Sequence, residues 1–486
     1  MSSTDLQSQE IRGLHPGFFL RAITLGALLS LFATQPSWAG KQKVDLIVYG
    51  DYLVTMDADQ PKVIEQGAVA VKGRDIVAVG SAKGVDESYR ARKKLPGKNR
   101  VLMPGLVNGH THTAMTLFRG MADDLELMDW LNNYIFPMEG QFVNPEFIKV
   151  GAELACWEMI RGGVTSFVDM YFYPDVIAEV VEQCGLRGVL ASPSIDFPSP
   201  GFKGWDDSFA AAEAFIGRWQ GRHERIIPAF APHAPYTVSP EHLRQVVEAS
   251  QRLKVPVSMH VAETESEVQL IQERYQRTPV RHIAHLGMLE LPLIAAHMVH
   301  PDAEEMAMLA GKTVGAIHNP TSNLKLASGI APVPQMLEAG VLVGLGTDGA
   351  ASNNDLDLWE EIRLAALIHK ANNGDPTLIP AYSALTMATR MGAQAVGLGE
   401  ITGQLKAGMR ADMIQVALDS PRVAPLYNVI SHLIYATDSQ DVVTTIVSGR
   451  VLMENGKVLS LDAGKVRAAA RAKAREISTA LAPVAN

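Results

Sequence analysis

Short hydrophobic runs separated by turn residues occupy both ends of the chain. Near the amino end they read VDLIVYGDYLVTMD, GAVAVKGRDIVAVG and KNRVLMPG, and near the carboxyl end GMRADMIQVAL and VTTIVSGRVLMENGKVL. Runs of this length that are bounded by Gly, Asp and Asn are typical of β-strands. We therefore predict one small β domain assembled from residues 40–102 and 403–460, followed by a C-terminal helix over residues 461–486.

Residues 103–402 show a different pattern, in which hydrophobic strand-like runs alternate with amphipathic helical stretches. The strand-like runs are GLVNGHTH, TSFVDMY, RGVLASPSIDF, RIIPAFAPH, VPVSMHVAE, LIAAHMVH, TVGAIHNP and VLVGLGTDG. Eight such units favour an α/β fold, a (β/α)8 TIM barrel. A doubly wound sheet is the alternative architecture, but no GxGxxG motif follows the first strand.

Composition narrows the class of protein. A chain of 486 residues suits one large barrel and a smaller domain. The net charge of −9 and the lack of a basic run argue against a nucleic-acid partner. The two cysteines, Cys156 and Cys184, form no CxxC pair, so neither a cysteine-based zinc site nor a disulfide scaffold is indicated.

The first 39 residues resemble an export signal. Arg12 and Arg21 precede the hydrophobic run AITLGALLSLFAT, and a small-x-small site follows, with cleavage expected after Ala39. The run is short for a membrane span, and no other segment is suited to cross a membrane. We therefore expect an exported, periplasmic protein without a stable membrane span; the alternative is a cytoplasmic protein with an N-terminal extension.

Polar side chains follow the predicted barrel strands where each strand ends. They are His110, His112, His233, His260, His297, His318 and Asp348. The carboxyl ends of barrel strands meet at one mouth, so these groups are expected to converge on a single site. Five other histidines lie in predicted helices and loops and are expected to be solvated surface residues; they are His223, His242, His282, His285 and His369.

The motif GHTHT after the first barrel strand places two histidines one residue apart. In an extended strand, side chains at i and i+2 point to the same face, so His110 and His112 would converge. Converging imidazoles suit a borderline metal such as zinc. Taken alone, the short pattern also fits two unrelated polar residues on a loop.

Longer motifs resemble the amidohydrolase superfamily from Val44 onward. They are GHTHT, MHVAETESE, AAHMVH, HNPTSNLKLASGIAPV and LGTDGAASNNDLDLWEE. Together with TLFRGMADDLELMDWLNNYIFPMEGQF, they are most similar to 5′-methylthioadenosine/S-adenosylhomocysteine deaminases. Guanine and cytosine deaminases and triazine hydrolases share the metal ligands but resemble these stretches less.

The resemblance implies a single Zn2+ per subunit, held by His110, His112, His260 and Asp348. Three imidazoles and one carboxylate leave a position open for water, as a catalytic zinc requires. Iron or manganese would also fit this ligand set. Related binuclear enzymes carry a lysine after strand four, and the corresponding stretch PAFAPHAPY has none, which favours one metal.

The resemblance also implies catalytic roles for Glu263, His297 and Asp348. Glu263 matches the family's proton shuttle, which passes a proton to N1 of the adenine ring and then to the departing ammonia. A surface carboxylate at the start of a helix is the alternative for Glu263. His297 would orient and polarise the attacking water, and Asp348 would accept its proton as well as bind the metal.

Four residues are expected to contact a nucleoside substrate: Glu139, His233, Glu263 and Asp348. Glu139 matches a glutamate that holds the ribose hydroxyls, and a carboxylate suits a cis-diol. His318, Ser322, Asn323 and Lys325 are interpreted mainly as structural residues of the barrel mouth. Ser192 stands where relatives that accept S-adenosylhomocysteine tend to carry an arginine, which favours methylthioadenosine or adenosine as substrate.

The leading interpretation is a zinc-dependent deaminase of an adenine nucleoside that forms the inosine analogue and ammonia. The alternatives are another amidohydrolase, a guanine-type deaminase or triazine hydrolase, and a non-catalytic protein that binds metal or nucleoside. The zinc deaminases with HxE and PCxxC motifs are excluded because the chain has no PCxxC. We expect a homo-oligomer whose only other partner is the small-molecule substrate.

Overall fold

The structure is a computed structural model that describes residues 40–481. The predicted export segment, residues 1–39, lies outside the described residues, as do the last five residues of the predicted C-terminal helix. Among the described helices, none has the length and hydrophobicity needed to cross a bilayer.

The strands and helices alternate along most of the chain. The strands are β1 Gln42–Leu53, β2 Ile64–Lys72, β3 Asp75–Ser81, β4 Tyr89–Leu95, β5 Arg100–Pro104, β6 Leu106–Thr111, β7 Val164–Met170, β8 Arg187–Ala191, β9 Pro193–Ser194, β10 Ile226–Pro228, β11 Ala231–Pro232, β12 Val257–Val261, β13 Leu293–His297, β14 Val314–His318, β15 Leu342–Leu345, β16 Met413–Ala417, β17 Val442–Val447, β18 Arg450–Glu454 and β19 Lys457–Val458. The helices are α1 Ala82–Ser88, α2 Leu127–Trp130, α3 Phe136–Phe142, α4 Pro145–Gly162, α5 Pro174–Cys184, α6 Trp205–Trp219, α7 Pro240–Leu253, α8 Glu265–Tyr275, α9 Pro279–His285, α10 Ala303–Leu309, α11 Pro320–Lys325, α12 Val333–Glu338, α13 Leu358–Asn373, α14 Ala381–Met387, α15 Arg390–Ala395, α16 Val429–Tyr435 and α17 Ala463–Leu481.

One sheet combines strands from both ends of the chain. Its order is β19-β18-β17-β16-β5-β1-β2-β3, and β4 also pairs with β1. The two ends meet where β16 pairs antiparallel with β5, so that Met413 lies opposite Pro104. Side chains that alternate along these strands form a core of their own, which includes Leu53, Leu102 and Ile446. The predicted β sheet assembled from both chain ends is confirmed.

The eight predicted barrel strands are also confirmed, as β6, β7, β8 with β9, β10 with β11, and β12 to β15. Strands three and four are each split in two, because Pro193 and Pro228 lack the N–H that a continuous ladder needs. Phe230 bridges strand four to β12. The barrel closes between its last and first strands, where the Asp348 N–H donates to the His110 carbonyl at 3.0 Å.

Helix α15 packs across β6, β14 and β15 and contributes to the hydrophobic interior of the barrel. Ala393 and Ala395 join Val107 and Ile317 in this cluster, which also contains residues of β7, β8 and β13. Small residues are required here, since a Cβ at Gly315 would lie only 2.1 Å from the Ala395 carbonyl oxygen. The interior is therefore a packed core, and polar groups collect at the opposite, carboxyl ends of the strands.

The two parts of the fold are joined by a buried ion pair. Arg187, at the start of β8, donates from Nε and Nη2 to Asp412 at 3.1 and 3.0 Å, and both side chains are fully buried. Asp412 also accepts from the Ser448 N–H at 2.7 Å. Asp412 directly precedes β16, a strand of the sheet formed by both chain ends, so this ion pair holds that mixed sheet against the barrel.

Candidate active site

His112, which directly follows β6, is held in place by contacts with the end of β7. Nδ1 of His112 lies 2.6 Å from the Met170 carbonyl oxygen at the end of β7, and the Thr113 N–H donates to Asp169 at 2.6 Å. A carbonyl oxygen accepts only, so in the neutral imidazole of His112 the proton is on Nδ1 and the lone pair is on Nε2. The imidazole therefore presents Nε2 to the mouth of the barrel, as a metal ligand must.

His260, at the end of β12, is oriented in the same way. Its Nδ1 donates to the His233 carbonyl oxygen at 2.8 Å, and its Nε2 lies 3.4 Å from Nε2 of His112. His233 stands beside it, with ring centroids 4.7 Å apart, and its own Nδ1 contacts Thr237 Oγ1 at 3.0 Å. His233 thus positions a neighbouring imidazole through its backbone while its ring lines the cleft.

Asp348 completes the group and is held by its other oxygen. Oδ1 lies 3.3 Å from Nε2 of His110 and 3.2 Å from Nε2 of His112, while Oδ2 accepts hydrogen bonds from Ser322 and Ser352 at 2.7 and 2.9 Å. Burial alone would raise the pKa of Asp348, but the two imidazoles that face its carboxylate keep that pKa well below its usual range. Asp348 is therefore an ionised carboxylate with one oxygen directed at the imidazoles.

His110 supplies the test of whether a metal fits. Its side chain is fully buried and neither ring nitrogen has a hydrogen-bond partner among the described residues. Burial lowers its pKa to about 4, so it is neutral and has a lone pair to share. Nitrogens of His110, His112 and His260 lie within 4.8 Å of one another, and those of His110 and His297 lie equally close to an Asp348 oxygen. A divalent cation satisfies these orphaned ligands, so the site fits a metal.

Two hydrogen bonds set the position of β6 relative to the residues that follow β15, the eighth barrel strand. Asn108 donates to Thr347 Oγ1 at 2.8 Å and accepts from the Thr347 N–H at 3.0 Å. The two segments pass so closely that a Cβ at Gly346 would lie 2.8 Å from the backbone nitrogen of His110. This pairing brings Asp348 alongside His110.

The backbone is strained at the ends of the barrel strands. His297, Asp348 and Ala262 have φ values of 75°, 61° and 53°, a region that residues other than glycine rarely adopt. Such strain collects at functional sites, where the surrounding structure holds it. Here the buried Glu267 carboxylate holds the turn after β12, since it accepts from the N–H groups of Ala262 and Glu263 at 3.0 and 2.8 Å.

Glu263 and His297 face each other at the mouth. The Glu263 carboxylate is only 5% exposed, which rules out a solvated carboxylate at a helix start. Burial raises its pKa, and its Oε2 lies 3.7 Å from Nε2 of His297. Nδ1 of His297 is paired with Asn323 Oδ1 at 2.9 Å, so Nε2 is directed into the site. The raised pKa favours the protonated form of Glu263, which suits this residue to proton transfer.

Glu139 lies at the far side of the same cleft, on α3. It is buried, and its Oε1 accepts a hydrogen bond from the Tyr171 hydroxyl at 2.8 Å. Burial raises its pKa to about 7. Tyr171 also lies beside the predicted metal ligand His112, with ring centroids 6.1 Å apart. A π-helical turn, Leu131–Ile135, directly precedes α3, a local irregularity that is frequent at functional sites.

All predicted site residues therefore converge on one cleft or its immediate wall. The cleft opens at the carboxyl ends of the barrel strands, where the active sites of such barrels lie. Its lining includes His112, Glu139, His233, His260, Glu263, His297 and Asp348. His110 lies behind them, fully buried against Asp348.

Ser322 and Asn323 order the barrel mouth, as expected, through hydrogen bonds to Asp348 and His297. One expectation about histidines needs correction. His282 and His369 are only 2% and 1% exposed, so the expectation of solvated surface residues is wrong for them. His282 is buried because its face of α9 packs against the protein, and its ring stacks on that of Tyr275 with centroids 4.2 Å apart.

Tyr171 and Ser352 were not singled out from the sequence. Each is an ordinary residue type in its local stretch, and each acquires its role through a partner remote in the chain or across a turn. Tyr171 directly follows β7. Its position at the carboxyl end of a barrel strand is the one sequence feature that could have indicated its role.

Comparison with known proteins agrees with this geometry. The family model described as amidohydrolase family matches residues 101–452. A 5-methylthioadenosine/S-adenosylhomocysteine deaminase of Pelotomaculum thermopropionicum is 45% identical over 88% of this chain and 98% of its own. A 5′-deoxyadenosine deaminase of Methanosarcina acetivorans is 44% identical over 89% of this chain and 98% of its own.

A solved structure is similar over the same extent. The crystal structure of an adenosine deaminase from Xanthomonas campestris with bound zinc has a TM-score of 0.88 and 37% identity, and the match covers 90% of this chain and all of that one. The chain therefore belongs to the amidohydrolase family and is a metal-dependent hydrolytic deaminase.

Proposed function

We propose that this enzyme uses one zinc ion per chain to deaminate adenine nucleosides with an apolar 5′ substituent, such as 5′-methylthioadenosine or 5′-deoxyadenosine. The products are the corresponding inosine analogue and ammonia. The observation that carries the proposal is a single cleft with the metal ligands at one end and the Glu139–Tyr171 pair at the other. The relatives named as a 5-methylthioadenosine/S-adenosylhomocysteine deaminase and a 5′-deoxyadenosine deaminase support an adenine nucleoside as the substrate.

The proposed ligands are His110, His112, His260 and Asp348. A divalent cation supplies Lewis-acid chemistry here and lowers the pKa of water to about 7, which makes a nucleophile available at neutral pH. Three neutral imidazoles and a carboxylate favour zinc, and iron or manganese are the alternatives that metal analysis distinguishes. The absence of a lysine in PAFAPHAPY supports a single ion.

The remaining residues move protons. His297 presents Nε2 to the cleft and orients the water that attacks C6, and the ionised Asp348 accepts a proton from that water. Glu263 gives a proton to ring nitrogen N1 as C6 becomes tetrahedral, a role that its raised pKa favours. The amino group then takes the proton held by Asp348 and leaves as ammonia, while the new C6 hydroxyl returns a proton to Glu263 and becomes the C6 carbonyl of the inosine analogue.

Glu139 gives the site its preference for a nucleoside. A buried carboxylate can accept hydrogen bonds from both hydroxyls of a cis-diol, and Tyr171 fixes its orientation. Without a ribose, an ionised carboxylate in this apolar wall would be costly. A guanine base or a triazine offers no diol, so this pair favours a nucleoside over both alternative substrates.

Beyond Glu139 the cleft continues into an apolar recess. It is lined by Phe136, Gly140, Phe172, Ile195, Phe197, Pro198, Ser199, Pro200 and Gly201. Among the described residues that line it, none is a lysine or arginine that could pair with an amino-acid carboxylate. Ser192, the position noted for the missing arginine, is buried and uncharged. The recess therefore favours a methylthio or deoxy substituent over homocysteine.

Ammonia release from a matched set of substrates tests the proposal. The zinc-loaded enzyme should deaminate methylthioadenosine and 5′-deoxyadenosine with the highest kcat/KM, adenosine less well, S-adenosylhomocysteine poorly and guanine not at all. A higher kcat/KM for guanine than for any nucleoside would overturn the nucleoside assignment. Absence of turnover with every substrate would support the non-catalytic alternative.

We also propose that residues 1–39 direct export. The support is the sequence pattern of two arginines, a hydrophobic run and a small-x-small site before Gly40. Amino-terminal sequencing of the protein from its native cell should give Gly40 as the first residue. An intact Met1 in the cytoplasmic fraction would refute export.

A further inference from the structure

The chain's two cysteines lie against each other, away from the cleft. The Sγ atoms of Cys156 and Cys184 are 2.9 Å apart, although 28 residues separate them in the sequence. This is shorter than the roughly 3.5–4.0 Å at which non-bonded heavy atoms normally pack. Both side chains are buried, 2% and 0% exposed. Their spacing in the sequence did not indicate this contact.

The helices that carry the two thiols are firmly held. Cys156 lies in α4, which packs so closely on the turn after His112 that a Cβ at Gly151 would be 2.5 Å from the Ala114 carbonyl oxygen. Cys184 is the last residue of α5, and Arg225 donates to the carbonyls of Val181 and Leu186 around it. The short distance is therefore imposed by two anchored elements.

We propose that Cys156 and Cys184 form a disulfide that joins α4 to α5 when the chain folds in the presence of a disulfide oxidant. One of the two cysteines attacks a sulfur of the oxidant as a thiolate and releases the other oxidant sulfur as a thiolate. The second cysteine then loses its proton and displaces the remaining oxidant thiol from the mixed disulfide. Two protein thiols are thus oxidised as one disulfide of the oxidant is reduced to two thiols. Since both sulfurs are buried, the exchange takes place before folding is complete.

The crosslink stabilises the fold without touching the cleft. Closing a loop of this length removes conformational entropy from the unfolded chain, and for a protein of this size the melting temperature should rise by about 4 °C. Neither cysteine lines the cleft or contacts a proposed metal ligand. The kcat/KM should therefore be the same in the oxidised and reduced proteins.

The test is refolding of the full chain with a glutathione redox pair and, in parallel, with dithiothreitol. The oxidised sample should weigh about 2 Da less, resist alkylation after denaturation, and yield one peptide pair linked through Cys156 and Cys184. Its melting temperature should exceed that of the reduced sample, and the Cys184→Ala variant should show no response to the oxidant. Two alkylatable thiols in the oxidised sample, or a stable glutathione adduct on either cysteine, would overturn the proposal whatever the enzyme's substrate.

Discussion

Replacement of Glu139 by glutamine should weaken the use of ribonucleosides selectively. Glutamine keeps the size of the side chain but replaces one acceptor oxygen by a donor and removes the charge. At least one charge-assisted hydrogen bond to the sugar is lost, worth about 1.5–3 kcal/mol. The kcat/KM for methylthioadenosine should therefore fall about 10- to 100-fold.

The same residue predicts the pH dependence. The pKa of Glu139 is raised to about 7 by burial, so its ionised, diol-binding form is gained as pH rises through about 7 and lost below it. The kcat/KM of the unmodified enzyme should fall below this pH, and the Glu139→Gln variant should lack that acid limb. Tyr171→Phe removes the hydroxyl that lowers the Glu139 pKa, so the limb should move to higher pH.

Steady-state kinetics with adenosine and 2′,3′-dideoxyadenosine provide the control. The dideoxy substrate has no diol, so its kcat/KM should change less than about threefold between the unmodified enzyme and Glu139→Gln. Equal losses for both substrates would show that Glu139 maintains the cleft rather than binding ribose, and the reasoning would be refuted.

The remaining predictions concern proton transfer, specificity and stability. Glu263→Gln should keep the bound metal but lose about 10²- to 10⁴-fold in kcat, because an amide cannot pass a proton; metal analysis and kinetics on one sample decide this. Phe197→Arg places a cation at the apolar recess, and the kcat/KM ratio of S-adenosylhomocysteine to methylthioadenosine should rise. Asp412→Ala leaves Arg187 buried without its partner and should lower the free energy of unfolding by about 3–5 kcal/mol in urea titrations.

Matched variants make each outcome decisive. Glu265→Gln changes an exposed carboxylate two residues from Glu263 and should leave kcat unaltered. Phe197→Ala separates the effect of new charge from that of lost volume. Glu290→Ala breaks an exposed ion pair with Lys312 and should cost about 1 kcal/mol or less. An Asp412→Ala protein as stable as Glu290→Ala would contradict the linking role of the buried pair.

The barrel strands could be predicted because each is a hydrophobic run that ends in a polar residue. His110, His112, His260 and Asp348 follow such runs, so the rule that barrel strand ends meet at one mouth was sufficient to bring them together. The mixed sheet was likewise visible from turn residues at both chain ends.

The contacts that could not be predicted from the sequence are hydrogen bonds between polar side chains that lie far apart in the chain. Asn108 with Thr347, and Glu139 with Tyr171, are separated by 239 and 32 residues, and no local pattern marks either pair. The approach of Cys156 to Cys184 depends on how two helices pack, which hydrophobic periodicity does not specify. His369 was misassigned because burial depends on which face of α13 meets the barrel.

Zinc titration of metal-stripped protein tests the central claim most directly. Bound metal and ammonia release from methylthioadenosine are measured on the same samples, with His110→Ala alongside. Activity should rise in proportion to bound zinc and level off at one equivalent per chain, and His110→Ala should neither retain the ion nor release ammonia. Full activity without metal, or a maximum reached only at two equivalents, would contradict a single-metal nucleoside deaminase.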